Sequence, residues 1–222
     1  TAHGGTNLAT SNFVNHPVGL GPITFAGGNL DIRADASIAP SNDIFLATNG
    51  TLTMNRVSAV GGTGRVFTFG ALTLSNNAMG FSGGGGVNGN GAQGFVARFT
   101  GPVTYSNTAT ISNNGVEVVF DGMLVNTGAG PNNLAKYGTN RLFLTNLLNQ
   151  TYTGGTYVDQ GLVRVAGSDT VTQPLGPGDI TLGTNAVIEF RSDTNQIFGP
   201  SNGYTINLLA GAGVNVDRRT TN

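Results

Sequence analysis

Alternate positions in the stretch LDIRAD, residues 30–35, carry Asp31, Arg33 and Asp35. In an extended chain alternate residues share one face, so two carboxylates and a guanidinium would stand in line there. A Ca²⁺ site gathers several oxygens, and the rest of the chain offers no matching acidic cluster. A solvated face of alternating charge is the expected role. Glu117 and Asp121 flank the apolar VVF. Paired carboxylates hydrolyse glycosides when about 5–10 Å apart, whereas a fully extended chain holds this pair at about 13 Å. His3 and His16 lie in segments rich in Gly and Asn. Neither is at metal-ligand spacing from the other, and no serine sits in a nucleophile elbow. The glycine run FSGGGGVNGNGAQGF, residues 81–95, holds G-x-G patterns but no helical stretch after them, so it lacks the context of a dinucleotide site. It is expected to be a protruding loop, with a hairpin permitted at Asn88–Gly89. The GGxGxDxUx pattern of calcium-binding β-rolls does not occur. No catalytic, cofactor-binding or metal-ligating residue is therefore assigned, and the chain is not expected to be an enzyme.

The elements that would position side chains are short strands. Candidates are ITF (23–25), LDI (30–32), IFL (44–46), LTM (52–54), VFTF (66–69), LTL (72–74), FVARF (95–99), VTY (103–105), VEVVF (116–120), RLFL (141–144), TYV (156–158), LVRV (162–165), ITL (180–182), VIEF (187–190) and TINL (205–208). Most alternate apolar and polar residues, the period-two mark of a strand with one buried face. Gly, Asn, Ser and Pro separate them, as turns require. The best helical candidate, residues 131–150, is broken by Gly138 and Asn140 and ends in the β-like LFLT.

The strands also recur in pairs. PITFAGGNLDI (22–32), ALTLSNNAMGF (71–81), PVTYSNTATI (102–111) and DITLGTNAVIEF (179–190) each hold an apolar–Thr–apolar triplet, a small polar turn and a second strand. No such unit buries its own apolar face, but stacked units do, and the stack is a solenoid. Tight corners in such a coil need Gly or Asn in left-handed conformations. In YTGGTYVDQGLVRVAG, residues 152–167, TGGT reads as a corner, TYV as one side, DQG as the next corner and LVRV as the following side. Leu162 is expected inside with Arg164 outside, or the reverse register; Leu162, Val163 and Val165 favour Arg164 outside. Asparagines would serve local turns or stack into hydrogen-bonded ladders.

Residues 138–190 carry a more specific string. Leu142 and Leu144 form a G-x-L-x-L-like run. Tyr152, Thr153, Gly154, Gly155, Thr156, Val158, Gly161, Leu162 and Val165 follow, and then Leu175, Gly176, Gly178, Ile180, Thr181, Leu182, Ala186, Ile188 and Phe190. This pattern resembles the passenger-associated strand repeat of bacterial autotransporters. The match is close over about residues 136–190 and only one of style over 1–135. The resemblance implies a right-handed parallel β-helix on, or released from, the surface of a Gram-negative-type bacterium. No membrane β-barrel sequence lies within the 222 residues, so it implies the shaft and not autotransport. Parallel β-helix enzymes that cleave acidic polysaccharides are similar in using clustered carboxylates for Ca²⁺ and an arginine as base, which keeps LDIRAD as a rival site.

Composition narrows the function classes. The chain has 36 glycines, no cysteine, no tryptophan, 9% charged residues and a net charge of −1. Its only lysine, Lys136, stands among nine arginines. No basic stripe exists to follow a phosphate backbone, so no nucleic-acid partner is expected. No apolar run is long enough for a membrane helix. The absence of cysteine excludes a disulfide scaffold and thiol chemistry, and fits an exported protein. The ends TAHGGTNL and NVDRRTTN read as cuts within a longer polypeptide. Residues 1–222 are expected to form one all-β solenoid: degenerate rungs over 1–135, the clearest repeat over 136–190 and further rungs over 191–222. A β-sandwich or jelly roll is the alternative. The expected function is an extracellular shaft, adhesive or fibre subunit. Its partners would be copies of itself joined end to end or side by side, and surface glycans. A carbohydrate-binding or polysaccharide-cleaving β-helix is the alternative. It would need aromatics converging on one face, for which Tyr105, Tyr137, Tyr152, Tyr157 and Tyr204 are available.

Overall fold

The structure is a computed structural model that describes residues 7–9, 18–57, 64–83, 94–146, 152–166, 174–193 and 204–217. His3, His16 and residues 84–93 of the glycine run lie outside the described residues. Among those described there is no helix, and every strand pairing is parallel. The strands form three sheets of nine, five and seven strands. This is a β-solenoid, and it rules out a sandwich built from antiparallel hairpins.

The first face stacks Asn7–Ala9, Asn29–Arg33, Gly50–Asn55, Ala78–Gly83, Thr108–Asn114, Asn133–Tyr137, Thr156–Val158, Ile180–Leu182 and Ile206–Leu208. The second stacks Ile23–Phe25, Ile44–Leu46, Leu72–Ser75, Val103–Tyr105 and Leu124–Asn126. The third stacks Val66–Phe69, Phe95–Phe99, Val116–Phe120, Arg141–Leu144, Gly161–Ala166, Ala186–Arg191 and Gly213–Asp217. The chain visits them in the order second, first, third, then begins the next turn. Leu30 pairs with Leu52 and Leu52 with Phe81, so successive turns take 22 and 29 residues. Past Asn126 the second face has no further strand among the described residues. The chain there is non-regular and buries Tyr152 and Leu175.

Stacking turns the period-two alternation into columns of like side chains. On the inner side of the third face Phe69, Phe99, Phe120, Leu144, Val165 and Phe190 lie in register, each on the next. All six are buried. The ring centroids of Phe69 and Phe99 are 5.4 Å apart, and those of Phe99 and Phe120 are 5.7 Å apart. A parallel column, Phe67, Ala97, Val118, Leu142, Val163 and Ile188, runs beside it. The core is this continuous thin interior, fed by alternate residues of the strands, up to three from a single strand as in Val116–Phe120.

The four recurrent units all become strand–corner–strand, but not at the same corner. Those at 22–32, 71–81 and 102–111 pass from the second face to the first, whereas that at 179–190 passes from the first to the third. The unit encodes a corner, and the coil uses it wherever a corner is due.

Candidate functional site

The charged residues singled out from sequence are brought to the outer faces and paired there. In LDIRAD the Arg33 guanidinium binds the Asp31 carboxylate at 2.8 Å, and Asp31 also accepts 3.0 Å from the Asn55 side chain one rung on. Asp35 lies past the end of that strand and accepts from the backbone N–H of Val57. The two carboxylates are thus engaged by different protein groups. Glu117 and Asp121 part in the same way. Glu117 meets Arg141 of the following rung at 3.3 Å, and Asp121 meets Arg98 of the preceding rung at 2.6 Å. Arg164 bridges to Glu189 at 2.6 Å, and Arg191 reaches both Glu189 and Asp217. The outer third face therefore carries ion pairs that tie one rung to the next. The more exposed pairs of Glu117 and Asp121 each contribute little alone, whereas Glu189 is buried and meets both Arg164 and Arg191. Among the described residues no three His, Asp or Glu side chains come together as metal ligands.

Arg164 faces out, and its guanidinium stands 4.8 Å from the centre of the Phe143 ring on the rung before, a cation–π contact. Leu162, two residues away, shares that outer side, and the inward pair is Val163 and Val165. The five tyrosines do not converge. Tyr105 and Tyr152 are buried, with the Tyr152 hydroxyl 2.7 Å from Thr156 Oγ1, and Tyr204 packs on Phe190. Only Tyr137 and Tyr157 meet on the outside of the first face, edge to face at 5.8 Å.

The corner glycines are explained by backbone contact between rungs. A Cβ on Gly178 would lie 2.2 Å from the carbonyl oxygen of Gly154 on the rung before. Gly161 has φ +72°, the left-handed region that glycine enters freely. Asparagines cap carbonyls across rungs: Asn42 donates to Gly19 and Gly21, Asn77 to Leu46, and Asn113 to Val116 and Arg141. These amides bond to backbone, whereas Asn55 and Asn29 bond side chain to side chain across rungs, with Asp31 and Thr53.

Lys136 is fully buried, which the sequence reading did not foresee. It lies in the inward column Met79, Ile111, Lys136, Val158, Leu182. The signal was present: in NLAKY, Lys136 has the same parity as the inward Leu134. Its ammonium donates to the carbonyls of Gly138 and, at 2.8 Å, Gln160. Burial draws its pKa down to about 8, partly opposed by the carboxylate of Asp159. The unfolded chain holds that proton more tightly, so stability is expected to rise as pH rises from about 8 toward the ordinary lysine value of 10.5. Burial pushes Tyr204 up to about 12, and raises Tyr105 and Tyr152 still more. Their phenols ionise first in the unfolded chain, so stability falls above about pH 10. A series of urea midpoints from pH 7 to 11 is expected to trace a dome. Lys136→Met is expected to remove its rising limb. A flat wild-type profile below pH 10 would contradict this account.

The last described rung differs from all those before it. Val214 and Val216 continue the two inner columns of the third face, and Leu208 continues that of Lys136 on the first. Their predecessors Ile188, Phe190 and Leu182 are buried, yet Val216 is 79% exposed and Leu208 52%. Among the described residues no further rung stacks on these inward-pattern side chains. No protein-family model matches the chain, and neither does any curated protein or solved structure, so the likeness of residues 138–190 to the passenger repeat rests on the quoted residues alone.

Proposed function

We propose that this chain is a non-enzymatic β-solenoid shaft of an extracellular bacterial surface protein, and that a second copy adds to it end to end. The observation that carries the reading is the unbroken stack of parallel strands, whose inner columns run in register from Phe69 to Phe190 on the third face and from Met79 to Leu182 on the first. Open strand edges template further strands unless capped. A head-to-tail contact of this kind does not close on itself, and so propagates as a filament. The rung-to-rung ion pairs support the shaft role, since they leave little net charge to repel a neighbour. The surface location is supported by the passenger-repeat likeness and by the absence of cysteine.

The test is negative-stain microscopy with sedimentation across a range of concentrations. Filaments one solenoid wide that lengthen with concentration are expected for the wild type. The double variant Leu208→Asp, Val216→Asp is expected to give short monodisperse rods, because two charges would be buried in the joint. A wild type that stays monodisperse at every concentration would refute end-to-end assembly.

A further inference from the structure

On the outer side of the first face, one column reads Asn29, Thr51, Gly80, Ser112 and Tyr137, each paired in register with the next. The missing side chain of Gly80 leaves a gap between two short hydroxyl residues. The result is an open trough of about 550 Å³, walled along its side by Asn49, Gly50 and Ala78. None of its lining residues is charged.

The polar groups of the trough are only partly engaged. The carbonyl oxygen of Asn29 accepts from Thr53, and that of Asn49 accepts from the backbone N–H of Ala78, which leaves each amide NH₂ to donate elsewhere. Among the described residues the hydroxyls of Thr51 and Ser112 have no hydrogen-bond partner. Tyr137, exposed and braced by the Tyr157 ring, stands one rung past Ser112 in the same column. Tyr157 is in turn fixed by a 3.0 Å hydrogen bond to Asp159. An open, uncharged trough with few orienting polar groups and a braced aromatic on the adjoining rung matches ligands that are amphipathic and neutral.

The spacing selects among such ligands. Successive rungs are about 4.8 Å apart, close to the length of one pyranose unit in an extended chain. A linear sugar polymer laid along the solenoid axis would meet Asn29 and Thr51 on adjacent rungs and Ser112 beyond the gap at Gly80. We propose that this trough binds an extended, uncharged β-1,4-linked glycan, with Asn29, Asn49, Thr51 and Ser112 bonding its hydroxyls and Tyr137 stacking on one sugar face. The site goes beyond the shaft reading and is independent of it, since it lies on a lateral face and does not involve the terminal rung.

The experiment is isothermal titration of the full chain, at a concentration where sedimentation shows a single copy, with cellohexaose, chitohexaose, cellobiose and hexagalacturonate. At least one neutral hexasaccharide is expected to bind tenfold or more tighter than cellobiose. Ser112→Ile, which fills the trough, and Tyr137→Ala are each expected to weaken that binding at least tenfold while leaving the urea midpoint unchanged. Binding of neither neutral hexasaccharide at millimolar concentration would overturn the proposal. So would equal or tighter binding of hexagalacturonate, or variants that bind as the wild type does. Filament formation is scored separately, so failure here leaves the assembly test untouched.

Discussion

Replacing Phe99 by alanine is expected to destabilise the solenoid by about 3–5 kcal/mol, the range for removing a buried aromatic side chain. Phe99 is fully buried at the centre of the ring stack, with Phe69, Phe81 and Phe120 at centroid distances of 5.4, 5.9 and 5.7 Å. Two of those contacts are to the rungs on either side. Deleting the ring therefore opens a cavity shared by three layers that the fixed rung spacing prevents from collapsing. The measurement is the urea midpoint by circular dichroism, with Phe143→Ala as comparison. Phe143 points outward on the same face and is expected to matter much less. Equal losses at the two positions would show that the inner column does not dominate the stability of the stack.

Gly122→Ala is the second large effect, expected at roughly 2–3 kcal/mol from overpacking. A Cβ at Gly122 would lie 2.0 Å from the carbonyl oxygen of Gly101 and 2.4 Å from its carbonyl carbon. The obstacle is backbone, so no rotamer change relieves it. The adjoining rungs would have to separate, stretching bonds such as that from Asp121 N–H to Phe99 O, now 2.9 Å. Gly130→Ala is the control, because a Cβ there meets nothing within 4 Å. If both variants unfold at the same denaturant concentration, close stacking at this corner is not what selects glycine.

The two effects bear on the proposed shaft role through rigidity. A shaft transmits position only if each layer is locked to the next. Here inner aromatic columns, corner glycines that let backbones touch and outer ion pairs all act between layers. Side chains that a single rung would leave exposed become buried only through its neighbours.

Much of this was legible in the chain. The strands at 23–25, 44–46, 66–69, 95–99, 103–105, 116–120, 141–144, 156–158 and 180–182 fall where alternation and turn residues put them. The corner reading of TGGT and DQG holds as well, because glycine density and short apolar runs are local properties that local rules fix. Strands written mostly in small or polar residues, such as Asn133–Tyr137 and the ends of Thr108–Asn114 and Ala78–Gly83, are weaker signals, since their pairing partners and not their propensity make them strands.

Tertiary structure alone decided phase and facing. The unit DITLGTNAVIEF turns a different corner from its three counterparts, because turns of 22 and 29 residues give no fixed period from which to count. Leu162 faces out because LVRV is apolar at both parities, and alternation cannot say which parity is inside until neighbouring rungs set the register. The same register buries Lys136, hides Tyr105 and Tyr152, and aligns Asn29, Thr51, Gly80, Ser112 and Tyr137, drawn from five separate turns, into one trough. Sequence fixes what each strand and corner is, since those depend on adjacent residues. Which residues meet depends on how far the chain travels between stacked strands, and only the assembled coil determines that.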